Sequence, residues 1–155
     1  ETMAAEEREY AEAHNLNIYT YLNELALQSE PGAGGLFFFP YLLGERAPIW
    51  NEYARGMFIG MGMNMKRSDL IRSVFEGTAY ALRHVMETVK EAGAKANVFP
   101  DLTKAAENIV KVNEIIQPVD KWVEVYDKLY PYYVDMYESL DRDLKSLKNT
   151  VDKIY

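Results

Sequence analysis

The sequence predicts an α/β domain rich in helix, and three observations carry that reading. Two short apolar runs, residues 36–39 and 56–61, have strand composition and follow turns built from glycine, proline or polar residues. From Ser68 to Gly93 apolar side chains recur at helical spacing. From Trp122 to Ile154 they recur every three or four residues in a nearly continuous stripe, which marks a long amphipathic helix.

The elements follow in chain order. Residues 3–14 are rich in Ala and Glu and form a short solvated helix. Asn15 or Asn17 caps a second helix, in which Ile18, Tyr21, Leu22, Leu25 and Ala26 share one face. The stretch SEPGAGG, residues 29–35, stops that helix and turns the chain into residues 36–39, apolar on both faces as a buried strand is. After the polar turn at residues 51–54 comes the second strand, where Gly56, Gly60 and Gly62 leave room for another backbone or a ligand. Ser68 is expected to cap a long helix, with Asp69 in its first turn and Gly93 at its end. Its expected buried stripe runs through Leu70, Ile71, Val74, Phe75, Ala79, Leu82, Val85, Met86 and Val89. Gly77 costs this helix about 1 kcal/mol relative to alanine, which points to a close neighbour. A further helix opens at Asp101 or Thr103 and stops by Pro118. The last helix starts at Asp120, and Pro131, lacking a backbone donor, is expected to kink or break it.

Composition narrows the partners. With 155 residues the chain is long enough for one domain with a core, and 48% apolar content is ordinary for a soluble protein. A formal charge of −7 disfavours nucleic acid and anionic membrane surfaces. The absence of cysteine excludes disulfides and thiolate metal sites, which fits a reducing compartment and makes the cytoplasm the expected location. The longest apolar run, residues 36–43, is interrupted by Pro40 and falls short of the ~20 residues of a membrane span. The acidic N-terminus has no signal-peptide pattern and reads as the middle of a longer chain.

Chemical motifs are few. The two histidines, His14 and His84, lie on different helices, and no carboxylate spacing matches a metal-ligand motif. PGAGG lacks the Lys and Ser or Thr of a phosphate-binding loop and precedes a strand, so it reads as a turn. GMFIGMGMN reads as close packing. No serine or threonine sits in an elbow motif, so no catalytic residue is assigned in this chain. Tyr126, Tyr130, Tyr133 and Tyr137 lie at helical spacing, which favours packing over a stacking platform. Arg72 and Glu76 face each other one turn apart, as a surface pair or with Glu76 partly buried against Arg55 or Arg46.

The segment PYLLGERAPIWNEYARGMFIGM places Glu45 and Arg46 at the mouth of an apolar strand, where charges require partners. Glu45, Arg46 and Arg55, with Glu76 beside them, are expected to brace the strand-to-turn geometry near a cleft. On that expectation Arg46→Ala lowers stability markedly.

These residues are also where the chain resembles a known family. PGAGGLFFFPYLLGERAPIW, ARGMFIGM and SDLIRSVFEGTAYALR, in that order, resemble the C-terminal domain of the FGGY family of carbohydrate kinases, especially its xylulokinase-like and gluconate-kinase-like members. Gly56, Phe58, Gly60, Met61, Asp69, Leu70, Ser73, Val74, Phe75 and Glu76 fill the family's second signature, and NVFPDLTKAAENIVKV and YDKLYPYYVDMYESL look like its closing helices. The resemblance implies an actin-like or ribonuclease-H-like ATPase domain. It also implies transfer of the γ-phosphoryl group of Mg-ATP to a hydroxyl of a pentulose such as xylulose, with gluconate or another polyol as alternatives. ATP and Mg²⁺ are implied in the same way. The family's nucleotide-holding strand, glycine-rich turn and helix would fall between Ala96 and Asn97, and its N-terminal domain supplies the sugar pocket and the general base. The chain is therefore expected to be an incomplete C-terminal domain, inactive alone; if Ala96 and Asn97 are bonded, their Cα atoms lie about 3.8 Å apart. A competing reading is a non-catalytic module that forms homo-oligomers or docks helices through its C-terminal helix.

Overall fold

The computed structural model describes residues 4–96 and 116–154. The helix expected from Asp101 or Thr103 and the 96/97 junction lie outside the described residues. The chain divides into two compact units, one of residues 1–40 and 57–78, the other of residues 41–56 and 79–155.

In the first unit, helix α1 (Ala5–Ala13) is followed by α2 (Ile18–Ala26). Asn17 is the cap of α2, its side-chain oxygen accepting the Tyr19 N–H at 2.9 Å. A 3₁₀ turn (Ala33–Gly35) leads into strand β1 (Phe37–Phe39), which pairs antiparallel with β2 (Met57–Ile59) in the register Phe37–Ile59, Phe38–Phe58 and Phe39–Met57. Phe39 is fully enclosed, as a strand apolar on both faces requires.

Helix α3 (Arg67–Ala96) contributes residues 67–78 to this unit. Two close approaches explain its glycine and that of the strand end. A Cβ built on Gly77 would lie 2.0 Å from the carbonyl oxygen of Phe38. One on Gly60 would lie 2.5 Å from the carbonyl oxygen of Gly35, and Gly60 also has a φ of +94° that only glycine adopts freely.

Three expectations for α3 need correction. Its N-cap position is Lys66, whose carbonyl accepts the amides of Asp69 and Leu70, so Ser68 sits inside the first turn. Asp69 completes that end by accepting the Lys66 N–H at 2.8 Å, the carboxylate arm of a capping box. The helix also runs through Gly93 to Ala96, because a single glycine among helix formers costs only about 1 kcal/mol. Finally, the buried face is not the apolar stripe: Arg72, Ser73, Glu76 and Gly77 are buried, while Val74 and Phe75 are exposed. Small and paired polar groups let the helix approach β1 closely, which bulky side chains would prevent.

In the second unit the rest of α3 is described with α4 (Asp120–Ile154) and the segment 41–56. Tyr80, buried on α3, meets Tyr126, Tyr130 and Tyr133 of α4 at ring separations of 6.1, 6.1 and 5.3 Å. Arg83 bonds Asp127 at 2.7 Å and lies 4.1 Å over the Tyr130 ring. Leu82, Met86 and Val89, on the other side of α3, stay exposed. Helix α4 continues through Pro131, so of the expected kink or break the break does not occur; without an N–H, Pro131 cannot bond the Asp127 carbonyl. Among the described residues no helix is long and apolar enough to cross a membrane.

Candidate functional site

Two clusters of polar side chains stand out, one in each unit. In the first, Arg72 and Glu76 are one turn apart on α3 and only 6% and 8% exposed, so they are a buried pair and not the surface pair that spacing alone suggests. Arg72 Nε donates to Glu76 Oε1 at 2.6 Å, and Nη1 donates to the Ser29 carbonyl at 2.9 Å. The same Glu76 oxygen accepts the Gly32 N–H at 3.0 Å. Ser29 in turn donates its hydroxyl to Asp69 at 2.6 Å. That bond, then the Lys66 N–H, holds the Asp69 carboxyl below its ordinary range. Residues 29–32 are thus tied to α3 by side chains 40 or more positions further along. This is the work of a brace: the side chains of Asp69, Arg72 and Glu76 all bond residues 29–32.

The second cluster surrounds the segment singled out in the sequence. Glu45 and Asn51 exchange two backbone hydrogen bonds of 2.8 Å each, closing the loop between them, and the Ala47–Pro48 peptide within it is cis. The Glu45 carboxylate accepts the N–H groups of Arg46 and Ala47 at 2.8 and 2.9 Å. Arg55 donates to the carbonyls of Ala54 and Glu52 at 2.7 and 3.0 Å. Glu45, Arg46 and Arg55 therefore do not bond one another through their side chains; Glu45 and Arg55 are satisfied by nearby backbone. Arg46 is exposed and has no ion pair among the described residues. Glu76 belongs to the other unit. Arg46→Ala is accordingly expected to change stability by no more than about 0.5 kcal/mol in urea unfolding; a loss several times larger would reveal a partner.

Asn51, read from sequence only as part of a polar turn, is the anchor of this loop. It is 7% exposed, accepts the Tyr53 N–H at 2.8 Å, and donates to the Tyr137 hydroxyl at 3.0 Å and to Asp141. Tyr133 donates to the Tyr41 hydroxyl at 3.1 Å, and the Tyr41 and Tyr137 rings meet edge to face at 4.8 Å. The tyrosine stripe is therefore packing.

Burial is the main cause that raises the pKa of Tyr41, Tyr133 and Tyr137 above the ordinary value of 10.0, with the Tyr41 hydroxyl adding to the effect at Tyr133. Because the folded state keeps these phenols protonated after an unfolded chain would lose them, the stability they confer is intact below about pH 10 and falls as pH rises further. A drop in thermal midpoint that starts above about pH 10, with the tyrosinate absorbance of Tyr41, Tyr133 and Tyr137 appearing only on unfolding, is the expected result. Tyrosinate absorbance at ordinary pH in the folded chain would contradict it.

The described residues do not fit Mg-ATP. No group of three or more His, Asp or Glu converges among them as a metal site needs. The Gly32 amide, which a phosphate would require in this turn, is already held by a carboxylate that repels one.

Comparison with known proteins gives a consistent answer. Residues 2–102 match the FGGY family of carbohydrate kinases, C-terminal domain. The gluconokinase of Bacillus subtilis (strain 168) is 41% identical over 88 residues, covering 57% of this chain and 17% of its own length. The xylulose kinase of Staphylococcus xylosus is 37% identical over 92 residues, covering 59% of this chain and 19% of its own. The chain thus spans less than a fifth of these relatives. In fold it is similar to the ligand-bound xylulose kinase of Lactobacillus acidophilus, with a TM-score of 0.67, 19% identity and coverage of 86% of this chain and 37% of that one. The gluconate kinase of the same organism gives a TM-score of 0.67 at 20% identity, covering 83% of this chain and 36% of its own.

Proposed function

Because the chain belongs to the FGGY family of carbohydrate kinases, as part of its C-terminal domain, we propose that it is the scaffold portion of an ATP-dependent sugar kinase. The whole enzyme transfers the γ-phosphoryl group of Mg-ATP to a hydroxyl of a pentulose or related sugar in the cytoplasm. Xylulose is favoured, and gluconate or another polyol is the alternative, since relatives of both kinds match more than half of the chain. The observation that carries the reading is the family match over residues 2–102.

The division of labour follows from the polar clusters. Phosphoryl transfer rests on positioning and charge stabilisation by metal ligands, phosphate donors and a nucleophile held together. Among the described residues no group of three His, Asp or Glu converges as a metal site needs, and on this reading ATP, Mg²⁺, the sugar pocket and the base belong to the remainder of the kinase, including a nucleotide-holding segment between Ala96 and Asn97. Glu45, Arg55 and Glu76 brace the turns that flank the catalytic cleft of the whole enzyme, and Arg46 meets a group supplied by that remainder. The exposed apolar side chains Leu82, Met86 and Val89 support this incompleteness, because a finished domain would cover them.

A chimera tests it. Replacing the matching segment of the Staphylococcus xylosus xylulose kinase with residues 2–96 should preserve ATP-dependent phosphorylation, while the 155-residue chain alone should show none. A folded but inactive chimera would sink the proposal. The competing reading, an oligomerisation module, draws on Leu147, Val151 and Ile154, which α4 leaves exposed; a stable dimer of the chain together with an inactive chimera would favour it.

A further inference from the structure

Four of the chain's seven methionines fall between positions 57 and 65, and the last three alternate as Met61-Gly62-Met63-Asn64-Met65. Spacing alone reads this stretch as close packing, but the structure packs little of it. Met61 is 62% exposed and Met63 is fully exposed, while Met65 is half-buried. A core methionine fills gaps between other apolar groups, and two of these three forgo that gain. The backbone gathers them instead. Residues 61–65 join β2 to α3 within the first unit, and the Met65 amide donates to the Gly62 carbonyl at 3.3 Å, which folds the segment into a turn. Met61 and Met65 flank that turn and Met63 lies on it. The Met65 methyl group would be 3.6 Å from a Cβ built on Gly34, so this side chain is seated against the 3₁₀ turn, whereas a Cβ on Gly62 would meet nothing within 4 Å. One thioether is anchored and the space beside the turn is open.

The donor atoms select the ligand. A thioether sulfur is neutral, polarizable and weak as a hydrogen-bond acceptor, so it has little to offer Mg²⁺, Ca²⁺ or Mn²⁺, which take carboxylate, carbonyl and water oxygens. Soft thioether ligands select Cu(I). Asp69, the carboxylate nearest in sequence, is committed to the Ser29 hydroxyl and the Lys66 N–H, and the chain has no cysteine to supply a thiolate. Met57 is committed to β2 opposite Phe39. That leaves three sulfurs, each on an unbranched side chain with three rotatable bonds, spaced closely enough along one turn to meet at a point.

We propose that Met61, Met63 and Met65 form a three-thioether site for a soft monovalent metal ion of the Cu(I) class. The site stands apart from phosphoryl transfer and does not depend on the kinase reading, since all its ligands lie on one turn of this chain. Silver nitrate, whose Ag(I) is a redox-stable stand-in for Cu(I), is the probe. Titrated in chloride-free buffer into the 155-residue chain with isotopically labelled methionine methyl groups, it should shift the NMR signals of Met61, Met63 and Met65 together. The shifts should saturate at one ion per chain, with the signals of Met86 and Met136 unmoved. A thioether has no proton to lose, so the affinity should be the same at about pH 7 and about pH 5, whereas a site built on His14 or His84 would weaken as the imidazole takes up a proton. Met61→Leu combined with Met63→Leu keeps the apolar surface and should abolish the one-to-one step without moving the unfolding midpoint. Shifts spread evenly over all the methionines, an affinity that falls at the lower pH, or binding that survives the double change would each overturn the proposal.

Discussion

Gly77→Ala is expected to destabilise the first unit by about 3 kcal/mol or more, at the upper end of what overpacking costs. The new methyl carbon would lie 2.0 Å from the Phe38 carbonyl oxygen and 3.1 Å from the Phe38 Cβ. Neither neighbour can yield cheaply. The carbonyl belongs to the middle residue of β1, whose backbone is fixed by pairing with Phe58, and the helix is tied to residues 29–32 by the Arg72–Glu76 pair. Relief would require α3 to withdraw from the strand and release the buried polar face it presents there. Gly62→Ala is the matched control, because a Cβ at that position meets nothing within 4 Å and the φ is not in the left-handed range. It should be neutral or raise stability by up to about 1 kcal/mol through the unfolded chain. Chemical denaturation of the two variants side by side is the measurement, and similar midpoints would show that the close approach is not real.

The second large effect concerns the buried pair itself. Glu76→Ala is expected to cost about 3–5 kcal/mol, because it strands the Arg72 guanidinium in a site that is only 6% exposed and removes the acceptor of the Gly32 amide. The worth of the pair against apolar replacement is a different quantity. Arg72→Met combined with Glu76→Leu should recover most of the loss, since well-packed apolar side chains avoid the cost of taking two charges out of water. What the double variant should not recover is the order of residues 29–32, which would lose the Glu76 acceptor at Gly32 and the Arg72 donor at Ser29. Amide exchange at Gly32 should therefore rise even where global stability is restored. If the double variant were as unstable as the single one, the charges would be contributing more than mutual compensation.

These two predictions also show where sequence reading stops. The Asn17 cap, the two short strands, the start of α4 at Asp120 and the need for a neighbour at Gly77 were all legible, because each follows from local chemistry or from a spacing of a few residues. Which face of α3 is buried was not legible. Periodicity finds the apolar face, but burial is decided by what packs against the helix, and here β1 meets the side made of Ser73, Glu76 and Gly77. A signal did exist: small residues at 73 and 77 with a complementary charge pair at 72 and 76 are the pattern of a helix that must come close to backbone. The expected stop at Gly93 and break at Pro131 failed for a related reason, since single breakers shift the balance by a few kcal/mol at most and the flanking helix outweighed them. For the candidate braces, sequence located charged residues that need partners but could not name the partners. Glu45 and Arg55 turn to backbone atoms one to three residues away, a choice set by the loop geometry that Asn51 fixes by bonding α4.

That loop has an optical consequence. It carries Trp50, 83% exposed, between the Glu45–Asn51 bridge and the Asn51 anchor, and the chain's other indole is Trp122 on α4. A solvated indole emits at long wavelength, and any protein surface that covers it moves the emission to the blue. Titrating a candidate partner, such as the N-terminal part of a related sugar kinase, against this chain and its Trp50→Phe variant would therefore read out assembly with a fluorophore the sequence already supplies.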